Sequence, residues 1–175
     1  MLNGPIPPHV DPRKLADRGI SLNGSLPLAQ FTRVCDLSTH ATGNVLVNVT
    51  FSRDQQKAVI IQLDLTTEVG MVCQRCLEEA ALPCQGSFSY AVIWPGTDDS
   101  QLPKGYDVLE VGEEPLDLHA LIEDELLLSL PIVPMHPSDE CRPPVELEEP
   151  ELDEEEVKKS NPFSILAQLK RDPNV

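Results

Sequence analysis

Cys73-Gln74-Arg75-Cys76 puts two thiols one turn apart, and far down the chain His136-Pro137-Ser138-Asp139-Glu140-Cys141 adds an imidazole and a third thiol. These are the donors that a tetrahedral zinc ion takes. A C-x-x-C turn between two strands delivers two sulfurs from one side while a second segment closes the shell. The expected ligands of a structural zinc are therefore Cys73, Cys76, His136 and Cys141. Cys84 is a spare candidate, although its place after Pro83, near a strand start, is equally explained by burial. Two other readings stay open: a redox dithiol and a pair of unmetallated buried cysteines. Leu77 to Leu82 holds helix-forming residues, and a thiolate at a helix amino end is activated. That arrangement belongs to a βαβ unit, whereas the neighbours of Cys73 read as a meander.

A catalytic zinc keeps one open position beside a general base, as in H-x-E with P-C-x-x-C or H-E-x-x-H. Neither pattern occurs, and there is no phosphate-cradling glycine loop or nucleophile elbow. His9, His40 and His119 stand without a partner pattern, His119 reading as a surface or edge residue. The chain thus reads as a non-enzyme with no catalytic residues and no small-molecule substrate.

These ligands need a scaffold, and composition bounds it. The 175 residues suit one domain, or a domain with a tail. Only 4% are aromatic, so the core must be aliphatic, built from residues 45 to 65 and 116 to 133. The formal charge of −16, with 13 Lys and Arg, opposes broad neutralisation of nucleic-acid phosphates and favours a basic partner. Local basic groups at Arg13, Lys14 and Arg18 and at Lys170 and Arg171 leave room for a small RNA contact. No leading apolar segment resembles a signal peptide, and no run nears the ~20 apolar residues of a membrane helix. A cytoplasmic protein with no membrane association is expected, its five cysteines reduced.

Asp11-Pro12 and Gly19 bracket a short helix carrying Leu15. A second helix from near Pro27 places Leu28, Phe31, Val34 and Cys35 at helical spacing, with Cys35 facing the core. At Val45 the period becomes two: Val45, Val47, Val49 and Phe51 form one stripe, and Val59, Ile61, Leu63 and Leu65 another, joined by a polar hairpin link. Thr66 to Cys73 extends or follows the second strand. Ser87 to Trp94, with Phe88, Tyr90 and Val92 on one face, reads as a further strand. Asp117 caps a helix from Leu118 to Leu130, with Leu118, Leu121, Ile122 and Leu128 towards the sheet and Glu123, Asp124 and Glu125 on the wet side. Pro131 ends it, and Pro131-Ile132-Val133-Pro134-Met135 leaves it extended.

Residues 145 to 156 hold eight carboxylates and no basic group, a composition expected to stay disordered. Asn161-Pro162-Phe163 then opens a short amphipathic helix with Phe163, Leu166 and Leu169 on one stripe, to dock on a partner or fold back on its own domain. The fold class expected is α+β: an antiparallel β meander or partly closed barrel packed with short helices. The divisions are an N-terminal helical segment (1–43) packed on the sheet, a core of sheet, knuckle and helix (44–141), a disordered acidic linker (142–160) and the C-terminal helix (161–175).

Three segments together, Cys73-Gln74-Arg75-Cys76-Leu77, the run from Glu123 to Pro134 with His136 and Cys141, and Asn161-Pro162-Phe163 with Leu166 to Lys170, closely resemble the large ribosomal RNA subunit accumulation protein YceD family. The resemblance covers nearly the whole chain in order, the amino-terminal third in pattern only. It implies a non-catalytic role in the synthesis, processing or stability of large-subunit ribosomal RNA during ribosome biogenesis. Some relatives look richer in cysteine where His136 and Cys141 stand, and histidine is an allowed exchange for zinc. Joined with the charge, this points to the large-subunit precursor or a basic ribosomal protein as partner, with RNA contact indirect. Arg75, at the knuckle tip, is the candidate for a polar contact or a cap of the turn. The readings from another class are a zinc-dependent or accessory RNA-processing enzyme and a C-x-x-C thiol oxidoreductase.

Overall fold

The alternation that begins at Val45 sets the architecture. Val45, Val47, Val49 and Phe51 are all buried on β4 (Asn44–Arg53), and Val59, Ile61, Leu63 and Leu65 on β5 (Val59–Val72) face the same way. A period of two in both strands makes one continuous apolar sheet face. Each such side chain withdrawn from water contributes about 1.5–3 kcal/mol, so this stripe dominates the stabilising side. The computed structural model describes residues 2–96, 105–137 and 141–142. Beyond Arg142, the expected linker (142–160) and the whole of the expected C-terminal helix (161–175) lie outside the described residues.

The fold is α+β. Six strands form an open sheet in the order β1-β3-β4-β5-β6-β7, where β1 is Leu2–Asn3, β3 is Ser21–Pro27, β6 is Glu79–Ile93 and β7 is Asp107–Glu110. The four central strands pair antiparallel, β4, β5 and β6 being the expected meander; the short edge strands β1 and β7 add in parallel. A separate pair, β2 (His9–Val10) with β8 (Leu116–Asp117), ties the N-terminal segment to the start of the helix Leu118–Ser129. Of the two architectures expected, the meander is the one that forms.

Two helices appear where the sequence signals place them. Asp11 caps α1 (Pro12–Asp17) by accepting from the backbone N–H of Arg13 and Lys14. Asp117 caps α3 (Leu118–Ser129) by accepting from Ala120 N at 2.9 Å. The helix expected from Pro27 is broken at Phe31 into a 3-10 turn (Leu28–Gln30) and α2 (Thr32–Leu37), with Leu28, Phe31 and Val34 buried. Arg33 on α2 binds Glu123 and Asp124 on α3, joining the helices over the core.

Three details of the sequence reading change. Residues 1–43 read as helical, yet Ser21–Pro27 pairs with all but the last three residues of β4. Of Leu77 to Leu82, read as helix-forming, the part from Glu79 onward opens β6, which pairs with β5 down to Val72–Glu79, because hairpin pairing overrides local propensity. On α3 the buried stripe is Leu118, Leu121, Ile122, Glu125 and Leu126, while Leu128 points to solvent. Glu125 follows Leu118 by seven residues, two helical turns, so the helix period itself carries it inside.

Candidate metal centre

The long β5–β6 hairpin ends in a six-residue knuckle, 73–78, which carries the C-x-x-C pair. Cys73 N donates to Glu78 O at 2.8 Å and Leu77 N to Cys73 O at 2.9 Å, which folds the turn so that both sulfurs face the same side. Leu77 takes a left-handed φ of 62° to close it. Beyond α3, Pro131 forces the chain out extended, and Gln74 N donates to Pro134 O at 2.9 Å, strapping this segment across the knuckle. The strap brings His136 and Cys141 to the two sulfurs.

One ligand atom from each of Cys73, Cys76, His136 and Cys141 lies within 4.8 Å of the others. The sequence-predicted set is thus brought together complete. Cys73 Sγ and Cys141 Sγ are 3.7 Å apart, and Cys76 Sγ is 3.3 Å from His136 Nδ1. Tetrahedral zinc with bonds of about 2.3 Å to sulfur separates two sulfurs by roughly 3.8 Å. The spacing fits an ion and is far too long for a disulfide, whose sulfurs stand about 2.05 Å apart. The three thiols are buried and, with Ala80 and Leu82, form a small core distinct from that of the main sheet.

The histidine is oriented by a backbone group. His136 Nε2 lies 2.8 Å from Glu79 O, an acceptor only, so that nitrogen carries the proton and the neutral ring presents the Nδ1 lone pair to the cluster. Fixing a ligand imidazole through its second nitrogen is the usual support of a metal-binding histidine. Glu79 is itself held, its carboxylate meeting His40 Nδ1, and a Cβ on neighbouring Gly70 would strike His40 Cε1 at 2.7 Å. Sequence reasoning missed Glu79, since a carbonyl oxygen has no residue-type signature.

The electrostatics suit a cation. Burial pushes the Cys73 thiol up, but the backbone N–H groups of Cys76, Arg75 and His136 and a hydrogen bond from the Cys76 side chain outweigh it and hold Cys73 down to about 5. Cys141 is pushed up to about 11, by burial first and then by its hydrogen bonds and charge repulsion with Cys73 and Cys76. Three crowded sulfurs resist shedding all their protons unless a positive ion shares the site, and coordination to such an ion deprotonates a thiol outright. Donor type, number, spacing and the pinned imidazole all fit zinc.

The remaining candidates lie elsewhere. Cys84 is buried in the main core, where burial raises its thiol, and is no part of the cluster. Cys35, expected to face the core, is half-buried and donates to Leu28 O. His119 Nε2 donates to Ile6 O at 3.1 Å, and His9 lies 3.9 Å from Asp117. Arg75 is exposed at the tip of the knuckle, its Nη2 3.9 Å from Met135 Sδ.

The sequence profile of the family described as large ribosomal RNA subunit accumulation protein YceD matches residues 61–170. A curated relative from Haemophilus influenzae, named large ribosomal RNA subunit accumulation protein YceD, is 36% identical over 172 residues, covering 95% of this chain and 97% of the relative. No solved structure gives a significant match. The matched span carries the knuckle, the capped helix α3, His136 and Cys141, and on that evidence this chain belongs to the large ribosomal RNA subunit accumulation protein YceD family.

Proposed function

We propose that this protein is a non-catalytic factor in the accumulation of large-subunit ribosomal RNA, acting in its synthesis, processing or stability during ribosome biogenesis. It works by binding a basic ribosomal protein, or the assembling large subunit through one, with RNA contacted indirectly. The likeness to a relative named for this role, along nearly the whole of both chains, is the observation that carries the reading. The charge of −16 supports a basic protein rather than bare RNA as the direct partner, because acidic surface steers cationic proteins and repels phosphate. This role places it in the cytoplasm; among the described residues no helix is long and apolar enough to cross a membrane.

In this reading Cys73, Cys76, His136 and Cys141 hold a structural zinc. Four protein ligands fill a tetrahedral shell and leave no position for a substrate, which separates this arrangement from a zinc hydrolase. A thiol oxidoreductase needs its attacking sulfur within reach of another protein, whereas Cys73 is fully buried. A pull-down with the tagged full chain tests the role. A basic large-subunit protein should be retained at low ionic strength and released at high. Recovery of bare RNA alone, or retention indifferent to salt, rejects it.

A further inference from the structure

Five of the large hydrophobic side chains left exposed among the described residues belong to one lobe: Val72, Leu77, Ile132, Val133 and Met135. They sit on the knuckle and on the strap hydrogen-bonded across it. Ile132 is 99% exposed and Leu77 68%, values that no contribution to the protein's own core explains. Leu77 is also the wrong residue for its backbone. At φ 62° glycine or asparagine is at ease, while a branched apolar residue is strained. Strain of this kind is retained where a side chain serves something outside the fold. The backbone that displays these side chains is tied down, the turn being closed by its own hydrogen bonds over a buried cysteine cluster and the strap bonded to it through Gln74 N and Pro134 O.

We propose that this apolar crown is the docking surface for the basic protein partner, with Leu77 and Ile132 as its anchors. The inference rests on the functional reading above and adds to it the place of contact. Charge decides the occupant. A second copy would bring −16 against −16, and RNA phosphates would meet the same repulsion, with Arg75 the one cation on the knuckle. A segment that is apolar at its centre and rich in Lys and Arg at its rim matches both the crown and the exposed Glu78 beside Leu77. Large exposed apolar side chains gathered on one lobe beside polar residues are what such an interface presents.

The test uses the full chain, purified without chelator, in wild-type form and as Leu77→Gly, Ile132→Ser and the double variant. The probes are the total protein of dissociated large ribosomal subunits and, separately, protein-free large-subunit RNA. Leu77→Gly relieves the left-handed strain, so it should melt at or above the parent temperature, which separates lost binding from lost folding. The double variant should weaken retention of the basic protein by at least about tenfold, the effect expected from removing two buried apolar anchors. If wild type and double variant retain that protein equally, the crown is not the site, while the functional reading stands. If the wild type retains only RNA, only itself or nothing, both the crown and the functional reading fall.

Discussion

His136 donates its Nε2 proton to the carbonyl oxygen of Glu79, 2.8 Å away, and thereby turns Nδ1 towards the Cys76 sulfur. A backbone acceptor on β6 thus selects the tautomer that a metal ligand needs. If that is the purpose of the contact, the fourth ligand position must follow donor chemistry rather than ring shape. His136→Cys should keep one zinc per chain, whereas His136→Ala should lose affinity by well over the roughly 10–100-fold typical of disturbing a support residue. Competition with a chromophoric chelator measures both. Equal affinity in the alanine variant would remove His136 from the shell.

The knuckle core of Cys73, Cys76, Ala80, Leu82 and Cys141 is separate from the larger core beneath the sheet. With zinc held there as proposed, stripping it should therefore open the lobe without melting the protein. Amide exchange in residues 73–82 and 131–137 should accelerate at least about tenfold after strong chelation, while residues 45–51 and 59–65 keep their protection. Uniform loss of protection along the chain would show instead that zinc supports the whole fold.

Where side-chain type carried the information, the sequence was readable. The valines of β4 and the Val59 to Leu65 stripe announced their faces because burial needs apolar residues at every second position. The gathering of Cys73, Cys76, His136 and Cys141 into one cluster was readable because few residue types bind soft metals. Strand β3 was hidden, since Ser21-Leu22-Asn23-Gly24-Ser25-Leu26-Pro27 holds only two large apolar residues and much of its contribution is backbone pairing to β4. Glu79 O and Pro134 O, which hold His136 and the strap in place, were hidden for the same reason. Glu125 is a different case: counting seven residues from Leu118 would have placed it inside, but its charge argued for water.

That buried carboxylate makes a prediction about pH. Glu125 accepts a hydrogen bond from the Tyr90 hydroxyl at one oxygen, while the other is buried with no partner among the described residues. Burial holds its pKa above the usual carboxylate value. A raised folded-state pKa means that the fold binds this proton more tightly than the unfolded chain. The contribution is fully present below the unfolded value and is lost as pH rises through the folded one. Glu125→Gln, similar in shape and never charged, should therefore raise stability near pH 7 by about 1 kcal/mol, the scale of a partly unsatisfied buried group, and the gain should shrink towards pH 4. Urea melts of both proteins at several pH values measure it, and a pH-independent difference would mean that the charge is irrelevant.

Gly24 stands where β3 passes closest to the N-terminal segment. A Cβ there would lie 2.6 Å from the backbone oxygen of Gly4 and 2.9 Å from Ile6 Cγ1. Backbone cannot swing aside as a flexible side chain can, so Gly24→Ala must push the N-terminal segment off the edge of β3 or bend the strand. The first course breaks the parallel pairing of Leu2 with Leu22 and the bond from Gly4 N to Asn23 O, and it uncovers Ile6, which is buried in the main core. The variant should lose about 1–3 kcal/mol, the usual cost of overpacking, with faster amide exchange confined to residues 2–6 and 21–27. Gly70→Ala provides the contrast, because the atoms crowding that position are the ends of the His40, Thr39 and Glu79 side chains. Those can rotate away, so its loss of stability should be smaller, and any change should appear at the metal centre through Glu79 rather than at the sheet edge.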